Sequence, residues 1–225
     1  MAGIFVTGTG TDVGKTFVTA ALIRHLRRAG KAVDAFKPVV SGFDPARIEA
    51  SDTGILLAAL GRSVAAAEID RISPWRFSAP LSPDIAARAE GRSIDFKALV
   101  DFSRQAAYGS GTVLIEGVGG IMVPLDERHT VLDWMSGLRI PVLLVAGSYL
   151  GTISHTLTAL HVLAQRNLDI AGVVVSESEN GGASLDDTVA TIARFAVPIE
   201  VIGLPRLPAR TDASSTVLGN LERLL

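Results

Sequence analysis

Cysteine is absent from the 225-residue chain. This excludes disulfides, thiolate metal sites and a cysteine nucleophile, and it fits a soluble cytoplasmic protein. The sequence also lacks any stretch of about 18 uninterrupted apolar residues, so we expect no transmembrane helix. Because no charged segment precedes an apolar run in the first residues, MAGIFVTG, we expect no secretory signal either.

The chain also lacks a large excess of either positive or negative charge. The formal net charge is -2, and no long run of like charges occurs. We therefore expect neither nucleic acid nor a membrane surface as the main partner. Hydrophobic residues make up 48% and charged residues 20% of the chain, which predicts a folded protein. The length suits a single α/β domain over residues 1–225.

Lysine is the rarer basic residue. Of the 21 basic residues, four are lysines (Lys15, Lys31, Lys37 and Lys97) and the other seventeen are arginines. In such a sequence a lysine marks a place where a compact ammonium serves better than a planar guanidinium. Lys15 and Lys37 both follow predicted strands, which makes them the candidates for a functional role.

Short apolar segments alternate with helical patterns along the chain. Their near-continuous Val, Ile and Leu content is typical of a parallel sheet covered on both faces. The sequence therefore predicts an α/β fold, a doubly wound and mostly parallel sheet with helices on both faces. We place strands at 3–8, 32–38, 112–116, 141–147, 170–177 and 199–205, and helices at 15–29, 51–61, 83–108 (interrupted near Gly91), 152–167 and 216–225.

A glycine-rich loop, GTGTDVGKT from Gly8 to Thr16, joins the first strand to the first helix. Such a loop turns backbone N–H groups toward phosphate oxygens, and the helix N-terminus adds partial positive charge. Lys15 would reach the β- and γ-phosphates, and the Thr16 hydroxyl would bind Mg²⁺. The strict pattern G-x-x-x-x-G-K-[ST] requires glycine where Thr9 stands, and glycines serving only close helix packing are the alternative. The series of strand, glycines, GKT and helix favours nucleotide binding and the P-loop NTPase type of fold.

Three further polar residues are predicted near this loop. Glu116 ends an apolar strand, so its carboxylate should emerge at the sheet edge where ligands of open α/β sheets bind, and its oxygens suit Mg²⁺. A cap of the following glycine turn is the alternative. Lys37 follows another strand at the same edge and would stabilise a transferring phosphoryl group; otherwise it is a solvated strand end. The helix at 51–61 is predicted to be capped by Ser51 or Asp52, so Asp52 by itself reads as an N-cap.

Taken in order, these motifs resemble those of the dethiobiotin synthetases. The loop matches G-T-x-T-x-V-G-K-T, and the segment FKPVVSG at 36–42 is similar to K-P-V-x-[ST]-G. Ser51-Asp52 recurs at the right distance, EGVGG at 116–120 resembles E-G-A-G-G, and Leu150 begins an L-G-T-I segment. The ordered set covers most of the chain up to about residue 175.

The resemblance implies an ATP-dependent ligase of biotin biosynthesis. Such enzymes close a cyclic urea, dethiobiotin, from 7,8-diaminononanoate and CO2, through a carbamate and a carbamic–phosphoric anhydride. The implied partners are the small-molecule diamine and CO2, with Mg²⁺ as cofactor and ATP as co-substrate. A homodimer with the site at its interface is also implied.

The resemblance also assigns roles to residues. Lys15 and Lys37 are the catalytic lysines, and Thr16, Asp52 and Glu116 hold the metal. The nucleotide contacts are Asp12, Val13, Gly14, Lys15, Thr16, Phe17, Glu116, Gly117, Val118, Gly119, Ser176, Gly203, Leu204 and Pro205, with Leu207 ending the last segment. The substrate contacts are Thr11, Lys37, Ser41, Gly151, Thr152, Ile153 and Ser154. Ser176 and Ser154 stand where relatives carry asparagine, so backbone groups of 151–153 and 203–207 are expected to serve there.

Two other classes of protein remain as alternatives. A related P-loop amidoligase would use a glutaminase domain with a cysteine nucleophile, and this chain has no cysteine. A nucleotide-switch ATPase of the partitioning or septum-site type would carry an early lysine in the loop, as in K-G-G-x-G-K-T. Here the loop contains Lys15 alone. Dependence of ATP turnover on diamine and bicarbonate, or on DNA, membrane or partner protein, distinguishes the classes.

Overall fold

Parallel strands form the central sheet of the computed structural model, which describes residues 3–179, 181–206 and 215–225. A second, two-stranded sheet lies apart from it. In chain order the strands of the described residues are β1 (Ile4–Gly8), β2 (Val33–Phe36), β3 (Val39–Ser41), β4 (Trp75–Phe77), β5 (Thr112–Glu116), β6 (Val142–Gly147), β7 (Ile170–Ser176) and β8 (Val201–Leu204).

The central sheet has the strand order β2-β5-β1-β6-β7-β8, and every adjacent pair is parallel. From β1 the chain crosses outward to β2, then returns through β5 and continues past β1 to β6, β7 and β8. Because parallel crossovers are right-handed, this reversal puts helices on both faces. The doubly wound α/β fold is therefore confirmed, with the strand order reversing beside β1, where ligands of such folds bind.

Helices cover the sheet in separate groups. The first helix packs against the second and the last, the fifth against the sixth, and the seventh against the eighth. Within the described ranges, no helix is long and apolar enough to cross a membrane. The helices are α1 (Lys15–Arg28), α2 (Asp52–Leu60), α3 (Ala66–Ile72), α4 (Pro83–Ala89), α5 (Phe96–Ala107), α6 (Val131–Leu138), α7 (Thr152–Gln165), α8 (Leu185–Ala196) and α9 (Ser215–Glu222), with a 3-10 turn at Pro45–Ala50.

The core is centred on β1, whose five residues are all buried. Phe5 meets Trp134 of α6 edge to face with ring centroids 4.8 Å apart, and the Trp134 indole N–H donates to Ser103 Oγ of α5 at 3.0 Å. Burying each aromatic side chain contributes about 1.5–3 kcal/mol. These contacts fix α5 and α6 beneath the strand that leads into the phosphate loop.

The structure adds elements that the sequence prediction did not contain. The β3–β4 pair, which directly follows Pro38, and the helices α3, α6 and α8 are all absent from it. Pro38 has no N–H to donate and ends β2, yet the chain resumes an extended course at Val39 and pairs with Trp75. This small sheet carries Ser41 to the rim of the site described next.

Candidate active site

The phosphate loop joins β1 to α1 through an unusual backbone at Gly14. This residue is the N-cap of α1 and has φ +93°, a conformation that favours glycine. A Cβ at this position would lie 2.5 Å from Ser176 Oγ. A Cβ on Gly120 would similarly lie 3.1 Å from the carbonyl oxygen of Thr9. The loop therefore packs closely against both β7 and the turn after β5, and a side chain at Gly14 would be strained.

Lys15 folds over its own loop. Its Nζ donates to the carbonyl oxygen of Gly10 at 2.7 Å, and only 7% of the residue is exposed. Burial, followed by the positive charge of Lys37, lowers the pKa of Lys15 to about 8, with carboxylates nearby opposing the shift. This poorly solvated ammonium beside a glycine loop and a helix N-terminus is suited to bind phosphate oxygens.

Lys37 lies beside Glu116 because of the strand register. Phe36 of β2 pairs with Ile115 of β5, so the next residue of each strand emerges at the same edge. Lys37 Nζ donates to Glu116 Oε1 at 2.7 Å and to the carbonyl oxygen of Gly117 at 2.8 Å. Burial lowers the pKa of Lys37, but the charges of Glu116 and then Asp52 outweigh it, so the pKa stays above its ordinary value.

Asp52 completes this cluster. Its Oδ2 lies 3.0 Å from Lys37 Nζ. Burial would raise the pKa of Asp52, but the charge of Lys37 and a hydrogen bond from Thr16 lower it overall. The N-cap of α2 is the preceding residue, Ser51, whose Oγ accepts a hydrogen bond from Gly54 N–H at 3.2 Å. Of the two predicted capping residues, Ser51 therefore caps α2 and leaves the Asp52 carboxylate directed at Lys37.

The oxygens at this point fit a hard divalent cation. Thr16 Oγ1 donates to Glu116 Oε1 at 2.7 Å, and Glu116 Oε2 is buried without a hydrogen-bond partner. Carboxylate and hydroxyl oxygens are ligands that Mg²⁺ prefers. No group of three or more His, Cys, Asp or Glu side chains among the described residues could hold a metal ion. Thr16, Asp52 and Glu116 could thus bind Mg²⁺ only together with phosphate oxygens and water.

A cavity of about 980 Å³ opens beside the two lysines. Many predicted site residues line it, namely Thr11, Asp12, Gly14, Lys15, Thr16, Phe17, Lys37, Ser41, Asp52, Val118 and Gly119. The prediction missed its apolar wall, which includes Val40, Pro80, Leu81 and Val123. Gly42 N–H donates to the Ala79 carbonyl at 3.0 Å and holds this wall in place. In the sequence, the proline-flanked segment PLSP at 80–83 was the feature that could have indicated this wall.

The residues predicted to bind the base lie at neighbouring strand ends. Ser176 of β7 and Leu204 of β8 are partners in the strand register, and Glu177 N–H donates to the Leu204 carbonyl at 3.0 Å. Gly203 and Pro205 flank Leu204, and Leu207 is outside the described residues. Val13 and Leu204 are buried apolar side chains, so only their backbone atoms are available to a ligand. Gly117 offers its carbonyl to Lys37, as described above.

The start of α7 is separate from this cavity. Gly151 is the N-cap, with φ +94°. The Thr152 hydroxyl donates to the Gly147 carbonyl at 2.7 Å, and its N–H donates to the Tyr149 carbonyl at 3.1 Å, so both donors are used internally. The amides of Ile153 and Ser154 belong to the first turn, where the helix supplies no acceptor. Within one chain, these four predicted residues do not line the cavity beside Lys37.

Comparisons with known proteins identify the relatives of this chain. A family model described as an AAA domain matches residues 2–214. The chain is 51% identical over 209 residues to the ATP-dependent dethiobiotin synthetase BioD of Phenylobacterium zucineum, covering 92% of this chain and 89% of that protein. It is 48% identical over 219 residues to the ATP-dependent dethiobiotin synthetase BioD of Caulobacter vibrioides, covering 96% and 98%.

A solved structure extends the likeness at the level of fold. The cell division protein MinD of Aquifex aeolicus superposes with a TM-score of 0.58 at 15% identity, covering 100% of this chain and 96% of that one. At this identity the likeness concerns the fold alone. The curated relatives are far more similar in sequence and match nearly end to end. The chain therefore belongs to the ATP-dependent dethiobiotin synthetase family.

Proposed function

We propose that this protein closes the cyclic urea of dethiobiotin from 7,8-diaminononanoate and CO2 with ATP, at the cavity between the phosphate loop and β3. One observation carries the assignment of this site. Lys15 and Lys37 lie at the same sheet edge as Asp52 and Glu116, beside a glycine loop that opens α1. Two cations and two carboxylates beside a partly enclosed cavity suit phosphoryl transfer to a carbamate.

The phosphate loop would hold the triphosphate of ATP. Backbone N–H groups around Gly14 and the positive end of α1 provide the anion-binding surface. Lys15 would exchange its bond to the Gly10 carbonyl for one to a phosphate oxygen. The base would lie toward Ser176, which lies against Gly14 of the loop, and toward residues 203–205 at the end of the neighbouring strand.

The proposed reaction has three steps. One amine of the diamine adds to CO2 and loses a proton, which gives a carbamate. A carbamate oxygen then attacks the γ-phosphorus, the bond to the bridging oxygen breaks, and ADP leaves. The second amine attacks the carbonyl carbon of the resulting carbamic–phosphoric anhydride, loses a proton and expels phosphate. Lys15 and Lys37 would stabilise the negative charge on the transferring group, and the protein supplies no covalent intermediate.

Thr16, Asp52 and Glu116 are the residues that we propose to hold Mg²⁺. When bound there, the ion would neutralise charge on the phosphates. The buried and unpartnered Glu116 Oε2 supports this assignment, because a buried carboxylate oxygen without a partner is costly.

We also propose that residues 1–225 form one domain and that the enzyme acts as a homodimer. Residues 151–154 at the start of α7 would then approach the cavity of a second copy. Exposed apolar side chains support such a contact: Leu150 is 91% exposed, Met122 55% and Leu81 49%. Analytical ultracentrifugation at micromolar concentration tests the dimer, and a monomer throughout would contradict it.

A coupled assay tests the activity. ADP release should require both 7,8-diaminononanoate and bicarbonate, and mass spectrometry should detect dethiobiotin. ADP release that ignores the diamine and responds to DNA or lipid vesicles would instead support a nucleotide switch. Release that requires ammonia and a carboxylate acceptor would support an amidoligase.

A further inference from the structure

The ammonium of Lys37 has no free hydrogen-bonding capacity in this structure. Its Nζ lies 2.7 Å from Glu116 Oε1, 3.0 Å from Asp52 Oδ2 and 2.8 Å from the Gly117 carbonyl. A lysine ammonium has three N–H donors, and three acceptors surround it. The side chain is 3% exposed. In this state Lys37 cannot also bind a phosphate or carbamate oxygen.

The same contacts place Lys37 where a metal ion would bind. Glu116 is fully buried, and its Oε1 accepts from both Lys37 and Thr16. Two carboxylates this close, one of them without solvent, repel each other unless a cation lies between them. Lys15 acts on these carboxylates only from a distance, because its Nζ is bonded to the Gly10 carbonyl.

We propose that Lys37 is an internal counter-ion, which occupies the Asp52–Glu116 carboxylate pair until Mg²⁺ and nucleotide displace it into the cavity. This inference rests on the proposed function for the identity of the metal ligands. It makes Lys37 a residue with two positions. The charge that later stabilises the phosphoryl group first offsets part of the negative charge of the two carboxylates.

Two consequences follow for binding. The nucleotide-free protein should bind a divalent cation weakly, because the ion must displace an ammonium that already satisfies the carboxylates. Nucleotide should then strengthen metal binding, since its phosphates supply a new partner for the displaced Lys37. Metal arrival and the release of the catalytic lysine thus become a single event.

The direct test uses Mn²⁺ alone as the probe, without nucleotide. The free Mn²⁺ signal in electron paramagnetic resonance gives the dissociation constant for the wild type, Lys37→Met and Lys15→Met. Lys37→Met should bind Mn²⁺ at least about tenfold more tightly, the scale of one close charge interaction. Lys15→Met is the matched control, since it removes a charge that acts on the carboxylates without touching them, so its gain in affinity should be clearly smaller, within about threefold of wild type.

Equal gains in both variants, or none in Lys37→Met, would overturn the counter-ion role. A second measurement on the wild type covers the case in which Lys37→Met does not fold. With four lysines in the chain, ¹⁵N-lysine NMR can assign the protected ammonium of Lys37. Its resonance should shift when Mg²⁺ and a non-hydrolysable ATP analogue are added together, and an unchanged resonance would contradict displacement.

The outcomes separate this inference from the proposed function. If the wild type forms dethiobiotin from the diamine and Lys37→Met binds Mn²⁺ no more tightly than the wild type, the counter-ion role is wrong and the proposed function stands. If Lys37→Met binds Mn²⁺ more tightly and the wild type forms no dethiobiotin, the proposed function is wrong and the counter-ion role is supported.

Discussion

The side chain of Ser176 lies directly against Gly14, so that a Cβ added to the glycine would lie 2.5 Å from Ser176 Oγ and 2.9 Å from Ser176 Cβ. The end of β7 is therefore packed on the phosphate loop. No hydrogen-bond partner of the Ser176 hydroxyl is found in the described part of the chain, and the residue is 7% exposed. A base bound here would therefore be recognised by the short Ser176 hydroxyl and by neighbouring backbone groups.

Nucleotide selectivity should be low as a result. A serine hydroxyl donates or accepts but has no fixed pair of groups for adenine, and discrimination of about 10⁴ requires polar groups that the wrong ligand leaves unpaired. We expect CTP, GTP and UTP to support turnover within about tenfold of ATP, and Ser176→Asn to widen the ratio. The measurement is kcat/KM for the four triphosphates at one Mg²⁺ concentration. An ATP preference of several thousandfold would show that the backbone at 203–205 selects adenine without help.

Lys15→Met should abolish turnover without lowering the free energy of unfolding. Burial lowers the pKa of Lys15 to about 8, so at pH 7 the folded state holds its proton less favourably than the unfolded chain does. Removing the charge should leave stability unchanged or raise it by up to about 3 kcal/mol, while turnover falls on the order of 10²–10³. Urea unfolding and the coupled assay measure the two effects. A clear loss of stability, or near-normal turnover, would refute this account of Lys15.

ATP binding should take up a proton above about pH 8. Below pH 7 Lys15 is protonated with or without ATP, so no uptake is expected there. As the pH rises through the pKa of about 8, the free protein loses this proton and phosphate binding must restore it. ATP affinity should then fall by up to about tenfold per pH unit. Calorimetry at pH 8.5 in two buffers of different ionisation enthalpy detects the uptake, and buffer-independent heats would contradict it.

Asp52→Asn and Ser51→Ala should affect different properties. Ser51 caps α2, so its replacement should lower the free energy of unfolding by about 1 kcal/mol with the same Mg²⁺ dependence. Asp52→Asn removes a charge from the proposed metal ligands and should raise the Mg²⁺ concentration for half-maximal activity. Each variant is the control for the other. If Asp52→Asn changed the melting temperature alone, Asp52 would be a structural helix residue.

Much of the fold was predictable because its strands are buried on both faces. Continuous Val and Ile runs such as that of β7 indicate a parallel sheet, and the glycine loop locates the central strand. The strands β3 and β4 contain three residues each, too few for a period to emerge. The helix α8 did carry a signal, since Ser184 accepts from Asp187 N–H at its start.

The position of the site was predictable, but its contacts were not. Lys37 follows one parallel strand and Glu116 ends another, so the sequence places both at one sheet edge. That they touch depends on β2 and β5 being neighbours with Phe36 opposite Ile115. This adjacency is set by the crossover order, which no local pattern contains. For the same reason the sequence indicated a lysine facing phosphate and not one bound to the carboxylates of Asp52 and Glu116.

The strand order also bears on how this chain emerges from a ribosome. The central strand β1 is made first, yet its two neighbours are β5, which begins at Thr112, and β6, which begins at Val142. At roughly 5–20 residues per second, a strand whose five residues are all buried in the fold waits many seconds for its first partner. The strand β1 therefore lacks both of its native neighbours until β5 has been made, and the proposed site cannot form before Glu116 has been translated.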